Sequence, residues 1–153
     1  MAVSSTKIRE ALDTGDVKKA NTYLGYNFML TGKVIKGRGL GKQLKFPTAN
    51  LQIEEEYKLV PKEGAYVVQS TIENNTYFGM MNIGYNPTIS LTNKKSIEIH
   101  FFDLDMHLYG KKIHVELLDR LRDEQKFNSK EELQQQLFND KEKALQLIQH
   151  YYA

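Results

Sequence analysis

Apolar positions along the chain change their period twice. Between residues 4 and 25 they recur at helical spacing in two short groups. Ser4, Ser5 or Thr6 can cap the first, whose apolar face is Ile8, Ala11 and Leu12, and Gly15 suits its C-terminal end. Asp16 then caps a second segment carrying Val17, Ala20, Tyr23 and Leu24, ended by Gly25. After Asn27 the spacing shortens to that of strands, and six are expected: Phe28 to Lys36, a short one within Leu44 to Ile53 after the proline turn, Ala65 to Ile72, Thr76 to Ile83, Ile97 to Asp103 and Lys112 to Leu118. Asn74-Asn75 is the expected hairpin turn between the third and fourth. Several short strands with no helix between them argue for an antiparallel sheet closed as a small barrel.

From Ser129 the period is helical again. Ser129 and Glu132 have capping-box spacing, and Leu133, Leu137, Phe138, Ala144, Leu145 and Ile148 form an apolar stripe expected to pack on the barrel. Asn139-Asp140 leaves two versions open, one continuous helix or a break with Asp140 capping a second.

With 153 residues the chain is one ordinary domain, long enough for a real core. No apolar run approaches the ~18 residues of a membrane span. Met1-Ala2-Val3-Ser4 does not open a secretory signal, so the expected compartment is the cytoplasm and no membrane partner is expected. The absence of cysteine excludes disulfides, thiolate zinc sites and a cysteine nucleophile. A net charge of +2 is too small to argue for nucleic acid.

The candidate chemistry lies in two places. Gly32 to Asn50 reads as a strand, a glycine-rich basic loop and a Pro-Thr-Ala-Asn turn. Gly37, Gly39 and Gly41 let backbone N–H groups approach an anion, while Arg38, Lys42 and Lys45 add positive charge. Thr48 and Asn50 offer hard oxygen ligands of the kind Mg²⁺ takes. The spacing is neither a P-loop nor a dinucleotide fingerprint, and each piece taken alone is a common turn. The second place is Glu98. Alternation puts Ile97, Ile99 and Phe101 on one strand face and Ser96, Glu98 and His100 on the other. Pattern alone does not separate a solvent-facing stripe from a general base aimed at a site. His100, His107 and His114 lack ligand-pair spacing and are discounted as a metal site, and Leu121 to Phe127 reads as a charged connector in which an Arg could reach a phosphate.

These pieces in this order resemble the riboflavin kinases, found alone or as the C-terminal half of bacterial bifunctional FAD synthetases. The carrying residues are Gly32 to Gly37, Phe46-Pro47-Thr48-Ala49-Asn50-Leu51, Asn82 to Thr88, Glu98-Ile99-His100, Leu108-Tyr109-Gly110 and Leu121 to Phe127. The resemblance implies a mainly β fold, a six-stranded antiparallel Greek-key-type barrel with a C-terminal helix packed on it, here behind a short N-terminal helical segment. It implies transfer of the ATP γ-phosphate to the riboflavin 5′-hydroxyl with Mg²⁺, giving ADP and FMN. By position, Thr48 and Asn50 would ligate Mg²⁺ and Glu98 would act as base. The loop Gly37-Arg38-Gly39-Leu40-Gly41-Lys42 would cover the ATP phosphates, with Lys45, Pro47 and Asn86 also at the substrates. Arg122 would lie in the loop that closes over the flavin. Where the family usually has glycine this chain has Lys45, which either crowds the backbone approach or adds a phosphate contact.

Ser4 to Arg9 in turn resembles the last motif of the FMN adenylyltransferase half of those enzymes, with nothing resembling that half's His-x-Gly-His element. Residues 1–25 are therefore expected to be a helical remnant of an upstream adenylyltransferase domain and 26–153 the kinase, making FMN and not FAD. The rival reading is a small nucleic-acid-binding barrel that stacks bases on Tyr66, Tyr77, Phe78 and Phe101, weakened by the acidic run Glu54-Glu55-Glu56. A barrel that binds flavin without catalysis is a third.

Overall fold

Six antiparallel strands close into a barrel in the order β1-β2-β5-β4-β3-β6 in a computed structural model that describes residues 5–35, 46–53, 59–85 and 95–152. The strands are β1 (Met29–Ile35), β2 (Ala49–Ile53), β3 (Gly64–Ile72), β4 (Asn75–Tyr85), β5 (Lys95–Phe101) and β6 (Lys112–Asp123). The meander β3-β4-β5 is flanked by β2, which precedes it in the chain and lies beside β5, so the arrangement is a Greek key. Helices α1 (Ser5–Asp13) and α2 (Val17–Leu24) come before the barrel and α3 (Lys130–Tyr151) after it.

Two apolar clusters account for the layers. Inside the barrel, Leu30, Val34, Leu51, Tyr66, Val68, Met81, Ile83, Ile97, Ile99, Ile113, Val115 and Leu117 meet. Outside it, Ala65, Val67, Met80, Leu118 and Leu121 lie under Ala144 and Ile148 of α3. β3 is therefore buried on both faces at Ala65 to Val68, which is why its apolar residues run together instead of alternating.

The N-terminal helices are part of the first cluster. Leu12, Val17 and Ala20 are buried in it together with Phe28. The Asp16 side chain caps α2 by accepting from Lys19 N, and Gly25 closes it in the left-handed conformation. Asn21 then ties α2 to the barrel, its Nδ2 donating to Leu117 O at 2.8 Å and its Oδ1 accepting from Phe28 N at 2.6 Å. Arg120 makes the other tie. Its guanidinium donates to Tyr66 Oη, Glu63 O and Asp123 Oδ1, and it lies where a side chain on Gly15 (φ +82°) would stand. Burial pushes the Tyr66 phenol up to about 12, against the pull of Arg120, so it stays a proton donor to Lys62 O.

The structure corrects the expected hairpin turn, two strand ends and part of the last helix's apolar stripe, and it decides between the two versions of that helix. The β3–β4 turn is Glu73-Asn74, both at positive φ, and Asn75 already pairs with Ile72. This is the primed two-residue turn whose twist matches the strands, and the inward position of Ile72 fixes its register. β5 ends at Phe101, two residues early, with Asp103 at φ +57°. β6 continues five residues past Leu118 to Asp123, because Leu121 still has α3 to pack against. The third helix is continuous through Asn139-Asp140, capped by Ser129, which accepts from Glu132 N at 3.1 Å. Its inward face runs through Leu137, Asp140, Ala144 and Ile148. Phe138 and Leu145 lie about 100° round the helix and are 49% and 43% exposed.

Candidate active site

Glu98 is the centre of a polar row that crosses three strands. In the ladders it pairs with Asn50 of β2 on one side and Asn82 of β4 on the other. Directly opposed residues of antiparallel strands share a face, so all three side chains stand on the outer surface of the barrel, spread over about 10 Å. The flanking Ile97 and Ile99 are buried inside, and Glu98 is half-buried. Thr48, also half-buried, precedes β2 by one residue.

His100 stands on the same face, two residues along β5. Its Nδ1 is 2.8 Å from Pro47 O, and its ring meets Phe46 and Phe102 edge-on at 5.2 and 5.7 Å. Phe46 is buried and in turn meets Phe138 of α3 edge-on at 4.9 Å. Burial lowers the His100 pKa below 6.5; the bond to Pro47 opposes this and the Lys141 charge adds to it.

A second carboxylate joins the row from the residue that follows β6. Gly84 pairs with Ser96 just beyond the Asn82–Glu98 pair. A Cβ on Gly84 would fall 2.9 Å from Glu124 Oε2, 3.0 Å from Ser96 Oγ and 3.6 Å from Asn82 Nδ2. Glu124 thus reaches the site over a glycine. Sequence reasoning left it in the charged connector; the signal was Gly84, a strand glycine that marks close approach by another group.

Arg122 is placed differently from the expectation. It lies within β6, opposite Ala65, and not in a loop. Nε donates to Asp140 Oδ1 and Oδ2 at 2.9 and 3.0 Å, Nη2 to Oδ2 at 2.8 Å, and Nη1 to Asp123 O at 3.0 Å. The reason is the helix register above: Asp140 falls on the inward face of α3, and its buried carboxylate needs a cation.

The structure thus brings together Thr48, Asn50 and Glu98, with Pro47 exposed beside them. Gly37, Arg38, Gly39, Gly41, Lys42, Lys45 and Asn86 lie outside the described residues, as does Glu54-Glu55-Glu56. Among the described residues no three His, Cys, Asp or Glu side chains gather as a metal site. The oxygen donors Thr48 and Asn50 nevertheless fit Mg²⁺, which takes few protein ligands and completes its shell with water and phosphate. Of the aromatics that a base-stacking surface would need, Tyr66 and Phe101 are buried, and Tyr77 and Phe78 pack against the two cores.

The family model for riboflavin kinase matches residues 24–148, a span that includes every residue of the row. The chain belongs to the riboflavin kinase family. It is 40% identical over 145 residues to the bifunctional riboflavin kinase/FMN adenylyltransferase of Bacillus subtilis, covering 94% of this chain and 46% of that protein. It is 35% identical over 139 residues to the protein of the same name from Escherichia coli K12, covering 90% and 44%. The chain thus spans about half the length of these curated relatives. Among solved structures, one described as a macrolide-efflux protein from Streptococcus pneumoniae aligns with a TM-score of 0.85 at 33% identity, over 99% of this chain and 47% of that one. No helix among the described residues is long and apolar enough to cross a membrane. A riboflavin kinase from Trypanosoma brucei shares the fold, with a TM-score of 0.56 at 21% identity over 80% of each chain.

Proposed function

We propose that this chain transfers the γ-phosphoryl group of ATP to the 5′-hydroxyl of riboflavin with Mg²⁺, giving FMN and ADP. The observation that carries the reading is the pairing of Glu98 with Asn50, two residues beyond Thr48. It sets a carboxylate beside two neutral oxygen donors on one face, as a hydroxyl acceptor and a metal-bound phosphate require. Family membership supplies the substrate class.

Phosphoryl transfer through a loose transition state asks the protein for position and charge more than for covalent help. Thr48 and Asn50 would hold Mg²⁺, which when bound neutralises phosphate charge. Glu98 orients the acceptor hydroxyl and takes its proton. Asn82 and Glu124 extend the polar row on the acceptor side. The loop Gly37 to Lys42 with Lys45 is assigned to the ATP phosphates, and Pro47 and Asn86 to the substrates' rim. Arg122 serves by holding the end of β6, from which Glu124 extends, against α3. The names of the relatives pair this activity with FMN adenylyltransferase. We assign that second step to a domain preceding residues 1–25, and expect FMN but no FAD from this chain.

The test is an incubation of the chain with riboflavin, ATP and Mg²⁺, with flavins resolved by chromatography. Mg²⁺-dependent FMN formation is expected. Absence of FMN, or salt-sensitive oligonucleotide binding in its place, overturns the reading; FAD formed from FMN and ATP overturns the single-step assignment.

A further inference from the structure

The β2–β5 ladder stops one step short of the turn it has to hold. Its pairs are Asn50 with Glu98 and Ala49 with Ile99. Continued by one residue, the register would set Thr48 opposite His100, but β2 begins only at Ala49. Pro47 has no N–H to offer a ladder. In place of a backbone bond, the imidazole of His100 reaches Pro47 O at 2.8 Å. A carbonyl oxygen only accepts, so Nδ1 carries the proton. The ring cannot swing aside easily, because Phe46 and Phe102, both buried, meet it edge-on. The carbonyl that it holds belongs to the peptide group shared with Thr48, and its own backbone is two residues from Glu98.

We propose that His100 is a positioning residue: its Nδ1–H fixes the Pro47 carbonyl and thereby sets Thr48 and Asn50 at working distance from Glu98. The donor set of the turn is thus held to the strand of the base by a side chain, beyond the last backbone pair. This rests on the functional reading above for what the turn binds, and on geometry alone for the hold itself.

Two variants separate the roles of the ring. His100→Phe keeps an aromatic ring between Phe46 and Phe102 and removes the donor. His100→Asn restores an N–H near the place of Nδ1 and removes the ring. Three measurements apply to each: amide hydrogen exchange of residues 46–50, Mg²⁺–ADP affinity by calorimetry, and riboflavin affinity by fluorescence quenching. In the unmodified protein the imidazole ¹⁵N spectrum should show the Nδ1–H tautomer. For His100→Phe we expect exchange of the segment to quicken and Mg²⁺–ADP to bind more weakly, each by about tenfold, the scale of one lost hydrogen bond. Riboflavin affinity should change less than twofold, and His100→Asn should recover most of both losses. An Nε2–H tautomer, unchanged exchange in His100→Phe, or an Asn variant as impaired as the Phe variant overturns the proposal. If His100→Phe does not fold, His100→Asn decides: near-normal exchange and Mg²⁺–ADP binding support the hold, and loss of both overturns it. If the unmodified chain binds no Mg²⁺–ADP, it is the functional reading that fails, while tautomer and exchange still decide the hold.

Discussion

Arg122 and Asp140 meet as a bidentate pair across the seam between β6 and α3, with Nη2 2.8 Å from Oδ2 and Nε 2.9 Å from Oδ1. Both side chains are largely withdrawn from water. Removing one partner leaves the other buried and uncompensated, a change that typically costs about 3–5 kcal/mol. Asp140→Ala is therefore expected to lower the denaturant midpoint sharply, and Arg122→Lys to fall between, since an ammonium cannot reproduce the fork. The pair Arg122→Met with Asp140→Leu should recover much of the loss. A midpoint for Asp140→Ala within error of the unmodified protein contradicts this account.

Glu98→Gln keeps the size of the side chain and its place between Asn50 and Asn82 but removes its basicity. Turnover is expected to fall by about 10²–10⁴-fold, while ADP affinity changes little. Near-normal turnover would remove Glu98 from the base role. Thr48→Ala, by contrast, should raise the Mg²⁺ concentration needed for half-maximal FMN formation; an unchanged metal titration counts against Thr48 as a ligand.

Gly84→Ala probes the second carboxylate. The new methyl would fall 2.9 Å from Glu124 Oε2 and 3.0 Å from Ser96 Oγ, so the carboxylate has to leave. It is the far end of a flexible side chain, and stability should change by less than about 1 kcal/mol. The expected loss is in KM for riboflavin, with little change in KM for ATP. An unaffected riboflavin KM would place Glu124 outside the acceptor side.

His100 also makes stability depend on pH. Burial holds its folded pKa below 6.5, opposed by the bond to Pro47 and helped by Lys141. Above pH 6.5 both folded and unfolded chains carry it neutral, and its contribution is complete. As pH falls below 6.5 the unfolded chain takes up a proton that the folded one does not, so stability is lost until the folded pKa is reached. Urea midpoints should therefore fall more steeply below pH 6.5 for the unmodified protein than for His100→Phe. Parallel curves would mean that the imidazole titrates alike in both states.

What could be read from the sequence was what is local. Asp16, Gly25 and Ser129 cap helices because each acts within four residues of itself, and strand alternation put Glu98 on the outer face. The partners of Glu98 were out of reach, because β2 lies beside β5 only after a Greek-key crossing that no local pattern encodes. The same holds for Asp140, whose polar character suggested a cap or a break until Arg122, eighteen residues earlier, is brought beneath it. The hairpin was misplaced by one residue because two asparagines outweigh a Glu-Asn pair in turn preference, whereas the register follows the inward side chain of Ile72. Glu124 needed knowledge of what faces Gly84.

The bond from Asn21 to Leu117 O joins residues 96 apart and seats α2 on the last strand of the barrel. During synthesis the two helices emerge before every strand of the barrel, yet the surface that covers Leu12 and Val17 is incomplete until β6 has been made and has closed against β1. Contacts of such sequence separation delay folding, since loop closure comes before its reward. The nascent chain therefore carries an exposed pair of apolar helices until the last strand of the barrel has been made, and α1 and α2 gain their seat only when the far end of the barrel arrives.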